Sequence, residues 1–142
     1  TLFRSDQLDA LPRAILDTIL SADALVVGTP VYKGSFTGLF KHLIDLIDPT
    51  ALRGKPVLLT ATGGGDRHAL VIEHQLRPLF AFFEAAVLPT GVYAGGADFR
   101  DGQPSSDALL ARLDRAVDQL APWLGQPRVD PRIERPAALA AL

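Results

Sequence analysis

An α/β fold built on a parallel sheet is predicted by three features of this 142-residue sequence. Ala24-Leu25-Val26-Val27-Gly28 is a short apolar run that enters a Thr29-Pro30 turn and passes at once into a helical pattern. Pro56-Val57-Leu58-Leu59-Thr60-Ala61 repeats that plan, with Thr62-Gly63-Gly64-Gly65 as its exit loop. Strand-like and helix-like patterns then alternate to the end, which implies βαβ units with right-handed crossovers. Open sheets of this kind bind ligands outside the carboxyl ends of their strands. The two exit loops, lying side by side, would make a shelf for a flat ligand.

The elements follow in order. Leu8, Leu11, Ile15 and Ile19 recur at helical spacing, and Pro12 is tolerated near a helix start, where a missing N–H costs little. The first strand, Ala24–Gly28, is continuously apolar, as strands covered on both faces are. Phe36, Leu39, Phe40, Leu43, Ile44 and Ile47 form a second helical stripe, closed by Asp48-Pro49. Lys55-Pro56 opens the second strand. Leu70, Val71, Leu76, Leu79, Phe80 and Phe83 give a third stripe, in which Pro78 predicts a kink or two consecutive helices. Val87–Ala94 reads as a third strand, and 95–104 as a polar, glycine-rich loop. Ser105-Ser106-Asp107 offers N-cap chemistry to a last helix carrying Leu109, Leu113, Val117, Leu120 and Leu124, with Gly125 as its terminator. Residues 1–125 are expected to form one domain, and 126–142, which lack a core pattern, a mobile tail.

Composition narrows the function. The chain is 48% hydrophobic with a formal net charge of −2 and well-mixed signs, which argues against disorder and against a nucleic-acid footprint. It has no cysteine, which excludes disulfides, thiolate metal sites and thiol nucleophiles. No apolar run is long enough to cross a membrane, and Thr1-Leu2-Phe3-Arg4 lacks signal-peptide order, so a soluble cytoplasmic protein is expected. His68 and His74 are off the HExxH spacing, and Thr62–Gly65 lacks the GK[ST] ending of a nucleotide-binding P-loop. No Ser-His-Asp arrangement supports a hydrolase, and neither a catalytic acid–base pair nor a metal site is assigned.

The segment 28–41 (GTPVYKGSFTGLFK), followed by Ala61-Thr62-Gly63-Gly64, His68 and Leu76-Arg77-Pro78-Leu79, resembles the NADPH-dependent FMN reductase family. The likeness runs from about Leu8 to Leu124 and is nearest to the flavin reductases of two-component alkanesulfonate and methanesulfonate monooxygenases. It implies a flavodoxin-like, three-layer α/β/α fold with strand order 2-1-3-4-5, in which the first strand of this chain takes the third position. The family's first strands and its Ser/Thr-rich phosphate loop have no counterpart before Ala24. The chain is therefore expected to be a fragment of the family domain, or to have that part supplied otherwise, with its first strand left as an apolar edge.

The resemblance also implies the site. Main-chain groups of Pro30, Val31, Tyr32, Lys33 and Gly34, with Thr29 before them, would face the flavin, and Thr62, Gly63, Gly64 and Gly65 would lie against its ring and ribityl chain. From the residues alone, the Thr-Pro turn equally serves to end a strand and start a helix. Tyr32 borders the ring or merely flanks the loop. Lys33 steers a phosphate or is solvated, and Phe36 borders the entrance or packs into the core. The implied activity is NAD(P)H-dependent reduction of FMN, with hydride passing from nicotinamide to flavin and reduced flavin going to a partner monooxygenase. A quinone or azo reductase with bound FMN, and a non-catalytic electron-carrier or interaction module, are the alternatives. The apolar helices imply a homodimer or homotetramer, although an intramolecular core explains the same stripes.

Overall fold

The computed structural model describes residues 5–125, so the tail expected at 126–142 lies outside the described residues. Helix α1 spans Ala10–Ser21, strand β1 Leu25–Pro30, helix α2 Gly38–Asp45 and strand β2 Pro56–Gly63. A π-helical stretch, Ile72–Leu76, runs directly into α3, Arg77–Phe82. The short strands β3, Ala86–Val87, and β4, Val92–Gly95, follow, and helix α4 covers Asp107–Leu120. Among the described residues no helix is long and apolar enough to cross a membrane.

All pairings in the main sheet are parallel, with β2 between β1 on one side and β3 and β4 on the other. Side chains of β2 alternate between two cores. Val57, Leu59 and Ala61 pack with Leu16 of α1, Ile44 of α2 and Leu76 and Phe80 beyond the glycine loop. Leu58 packs on the opposite face with Val92, Ala94, Leu109, Ala116 and Leu120, beneath α4. The arrangement is three-layered, α/β/α. Val57 and Leu59 are completely inaccessible to solvent, and burial of one such side chain stabilises the fold by about 1.5–3 kcal/mol.

Four expectations are corrected. The third strand is broken: Leu58 and Leu59 of β2 lie opposite the four residues Leu88–Gly91. Pro89 has no N–H to offer a ladder, and side chains take over its neighbours' hydrogen bonds. Arg77 donates to the carbonyls of Leu88 (3.0 Å) and Pro89 (3.2 Å), Arg112 to that of Gly91 (2.6 Å), and the Thr90 N–H donates to Gln119 Oε1 (3.0 Å). Arg77 also pairs with Glu73, and that hydrogen bond holds the Glu73 carboxyl below its ordinary value. Secondly, β1 pairs with β2 alone among the described residues, at the edge expected of it, but it is not covered on both faces. Leu25 and Val27 pack inward while Val26 stays 65% exposed, so one face is covered rather than both. Thirdly, α1 buries Leu16 and leaves Leu11 and Ile15 outward, because nothing among the described residues covers that side. Lastly, the final helix stops at Leu120, short of Leu124, and a single 3₁₀ turn follows.

The kink expected at Pro78 takes the form of the π turn. The Arg77 N–H donates to the Ile72 carbonyl, five residues back. The widened turn accommodates a residue that lacks an N–H and would crowd the preceding turn of a regular helix.

Candidate functional site

Pro30 pairs across to Thr62 and Thr62 to Ala94, so β1, β2 and β4 finish at one level. Beyond the last ladder pair the Val31 N–H donates to the Thr62 carbonyl at 2.7 Å, which ties the first exit loop to the second. The chain then folds back within four residues. Tyr32 and Ser35 exchange backbone hydrogen bonds of 2.9 and 3.3 Å around Lys33 and Gly34, at φ 54° and 86°. Two successive positive φ values make a mirror-image turn, the form that suits two-residue loops. Gly34 accommodates this without strain, whereas a Cβ there costs about 1–2 kcal/mol. Gly34→Ala is accordingly expected to lower stability by about 1 kcal/mol and Lys33→Asn to leave it level or slightly raised, as measured by urea unfolding.

Between the three strand ends lies an open cleft of about 220 Å³. Pro30, Val31 and Tyr32 line it from the first loop, Thr62, Gly63 and Gly64 from the second, and Ala94, Gly95, Gly96 and Phe99 from the third. A Cβ added at Gly64 or Gly96 would meet no atom within 4 Å, so both glycines open onto free space. Gly63 is different, since a Cβ there would overlap the Tyr93 hydroxyl, which donates to the Gly65 carbonyl at 2.7 Å.

Six of the ten residues predicted to hold a ligand therefore come together: Pro30, Val31, Tyr32, Thr62, Gly63 and Gly64. The other four lie outside the cleft lining. Thr29 is buried, donating from Oγ1 to the Pro30 carbonyl at 3.0 Å and accepting the Thr37 N–H at 3.4 Å, so it braces the loop from below. Gly65 supplies the carbonyl for Tyr93. Lys33 and Gly34 form the turn tip, and Gly34 borders a second, smaller hollow with Arg67, His68 and His74. The N–H groups of Val31 and Tyr32 are already engaged by Thr62 and Ser35. Phe36 turns to the core, its ring 5.7 Å from that of Phe40. Besides Tyr32, the aromatic that lines the cleft is Phe99, from the segment expected to be a polar loop. Gly95-Gly96 at the end of an apolar run was its visible signal, by the same reasoning that singled out Gly63-Gly64.

Comparison with known proteins decides the family. The sequence model of the NADPH-dependent FMN reductases matches residues 3–99. This chain belongs to that family. It is 56% identical over 125 residues to an FMN reductase (NADPH) of Pseudomonas aeruginosa, covering 88% of this chain and 67% of the relative. It is also 56% identical over 119 residues to the NADH-dependent FMN reductase SfnF of Pseudomonas fluorescens, covering 84% and 64%. The chain thus spans about two thirds of the length of these relatives. Among solved structures, an oxidoreductase from Corynebacterium diphtheriae superposes with a TM-score of 0.77 at 40% identity, covering 84% of this chain and 65% of the other. The apo form of the NADH:FMN oxidoreductase EmoB gives 0.72 at 32% identity, with 80% and 60% covered. The fold of this FMN reductase family member is flavodoxin-like α/β, with β1, β2 and the β3–β4 pair in sequential order across the sheet.

Proposed function

We propose that this chain carries the ring-binding ledge of an NAD(P)H-dependent FMN reductase. The observation that supports this most is the level ending of three adjacent parallel strands around one open cleft. The cleft fits a flat tricyclic ring: glycine steps at Gly64 and Gly96 open it, and Pro30 stiffens one side. FMN, when bound, would supply the hydride-accepting chemistry. Thr62, Gly63 and Gly64 bring peptide dipoles close to the ring, since no side chain intervenes at the glycines. Pro30 and Val31 hold that ledge in register through the Val31–Thr62 hydrogen bond. Tyr32, 66% exposed, stands at the open side, where its phenol can border the ring or the nicotinamide. Lys33 at the turn tip provides a cation for a nucleotide phosphate. Rate enhancement then rests on holding two rings face to face, not on proton transfer by a side chain.

In this reading residues 1–125 act as one domain, and reduced flavin passes to a partner monooxygenase. Leu39, Leu70 and Phe82, respectively 85%, 62% and 66% exposed on the α2–α3 layer, support assembly into a homodimer or homotetramer. The test is oxidation of NADH and NADPH by the intact protein with and without added FMN. FMN-dependent oxidation with sequential kinetics is expected. Ping-pong kinetics with a quinone would replace this reading by a quinone reductase, and oxidation of neither nucleotide above background would overturn it.

A further inference from the structure

The third strand end is anchored by a carboxylate. Asp98 Oδ2 accepts the Gly95 N–H at 2.8 Å, while the Asp98 carbonyl accepts the Ser105 N–H at 2.8 Å and the Ser106 N–H at 3.4 Å. One residue thereby ties the glycine ledge of β4 to both ends of a small hairpin. In that hairpin Phe99–Arg100 pairs antiparallel with Gln103–Pro104 around Asp101 and Gly102, at φ 51° and 76°. The hairpin's first residue, Phe99, lines the cleft and stands outside both core clusters. A phenyl ring anchored at a cleft rim, away from any core, has its free surface available to a flat ligand.

We propose that Phe99 packs against the bound ring and limits which flat acceptors enter, and that Asp98 is the residue that positions it. This rests on the flavin reading above. Because Phe99 would contact the ring and not the phosphate, its loss should affect every ligand that shares the ring. Dissociation constants of the intact protein for FMN, riboflavin and lumiflavin, which has the ring alone, are to be measured by flavin fluorescence quenching. Phe99→Ala is expected to weaken all three by a common factor of about tenfold, with Phe99→Tyr close to wild type. Asp98→Ala should reproduce the loss, and Asp98→Asn, which keeps an acceptor oxygen, should restore most of it. An unchanged lumiflavin constant in Phe99→Ala, or a loss confined to FMN, overturns the proposal while leaving the reductase reading intact. Failure of the wild type to bind any of the three overturns the reductase reading itself.

Discussion

Gly64→Val is expected to leave the protein folded, with Tm within about 2 °C of wild type, and to raise the dissociation constant for FMN at least about a hundredfold. The two effects separate because of where this glycine sits. A Cβ at Gly64 meets nothing within 4 Å, and its φ lies outside the left-handed region, so the fold has no objection to a side chain. That open space, however, is the cleft itself. A branched side chain there lifts any flat ring off the peptide groups of Thr62–Gly64. A hundredfold loss corresponds to about 2.7 kcal/mol, the scale of losing a close-packed contact together with the backbone dipoles beneath it. Gly63→Ala makes the contrast. Its Cβ would collide with the Tyr93 hydroxyl and break the hydrogen bond to the Gly65 carbonyl, so it should lose stability and binding together. Thermal melts and flavin titrations of both variants check this. Retention of FMN affinity within about threefold in Gly64→Val would remove the ring from this ledge.

The contrast also shows which parts of the site could be read from the sequence. Pro30 and the run Thr62–Gly65 were legible because proline and glycine act through the backbone, whose consequences do not depend on distant residues. The level ending of β1 and β2 followed from two similar strand-to-loop units. The orientation of individual side chains was not legible. Thr29 and Thr62 occur at matching loop positions, yet Thr29 points into the fold and Thr62 onto the cleft. Alternation along a strand decides that, and a one-residue shift reverses it. The third wall was missed for another reason. Phe99 lies in a segment too polar for a strand pattern, and only Asp101-Gly102 marks the hairpin that presents it. The split of β3 and β4 was also signalled, by Pro89 within the apolar run, but its repair by Arg77, Arg112 and Gln119 depends on contacts across the fold. The uncovered faces of β1 and α1 follow from what packs beside them, which local periodicity does not specify.

Phe80→Ala is expected to cost about 3–5 kcal/mol, a large part of the roughly 5–15 kcal/mol that typical domains possess. The ring is completely inaccessible and belongs to the core cluster that includes Leu59 of β2, Leu76 and Phe83. Removing it leaves a cavity beneath the strand whose far end forms the ledge. Helix α3 is pinned by the Arg77 hydrogen bonds at one end and enters from the π turn, so it has little freedom to close the gap. Two positions along the same helix, Phe82 is 66% exposed, and its ring meets Phe83 edge-on at 5.1 Å. Phe82→Ala should therefore cost about 1 kcal/mol or less within one subunit. Urea unfolding at low protein concentration separates the two variants. Sedimentation then assigns the outer ring its role: if subunits meet on the α2–α3 layer, Phe82→Ala shifts the protein to smaller species while Phe80→Ala loosens each subunit. Equal losses of monomer stability from both substitutions would mean that the outer face of α3 is part of the core, and the argument for assembly through it would fall.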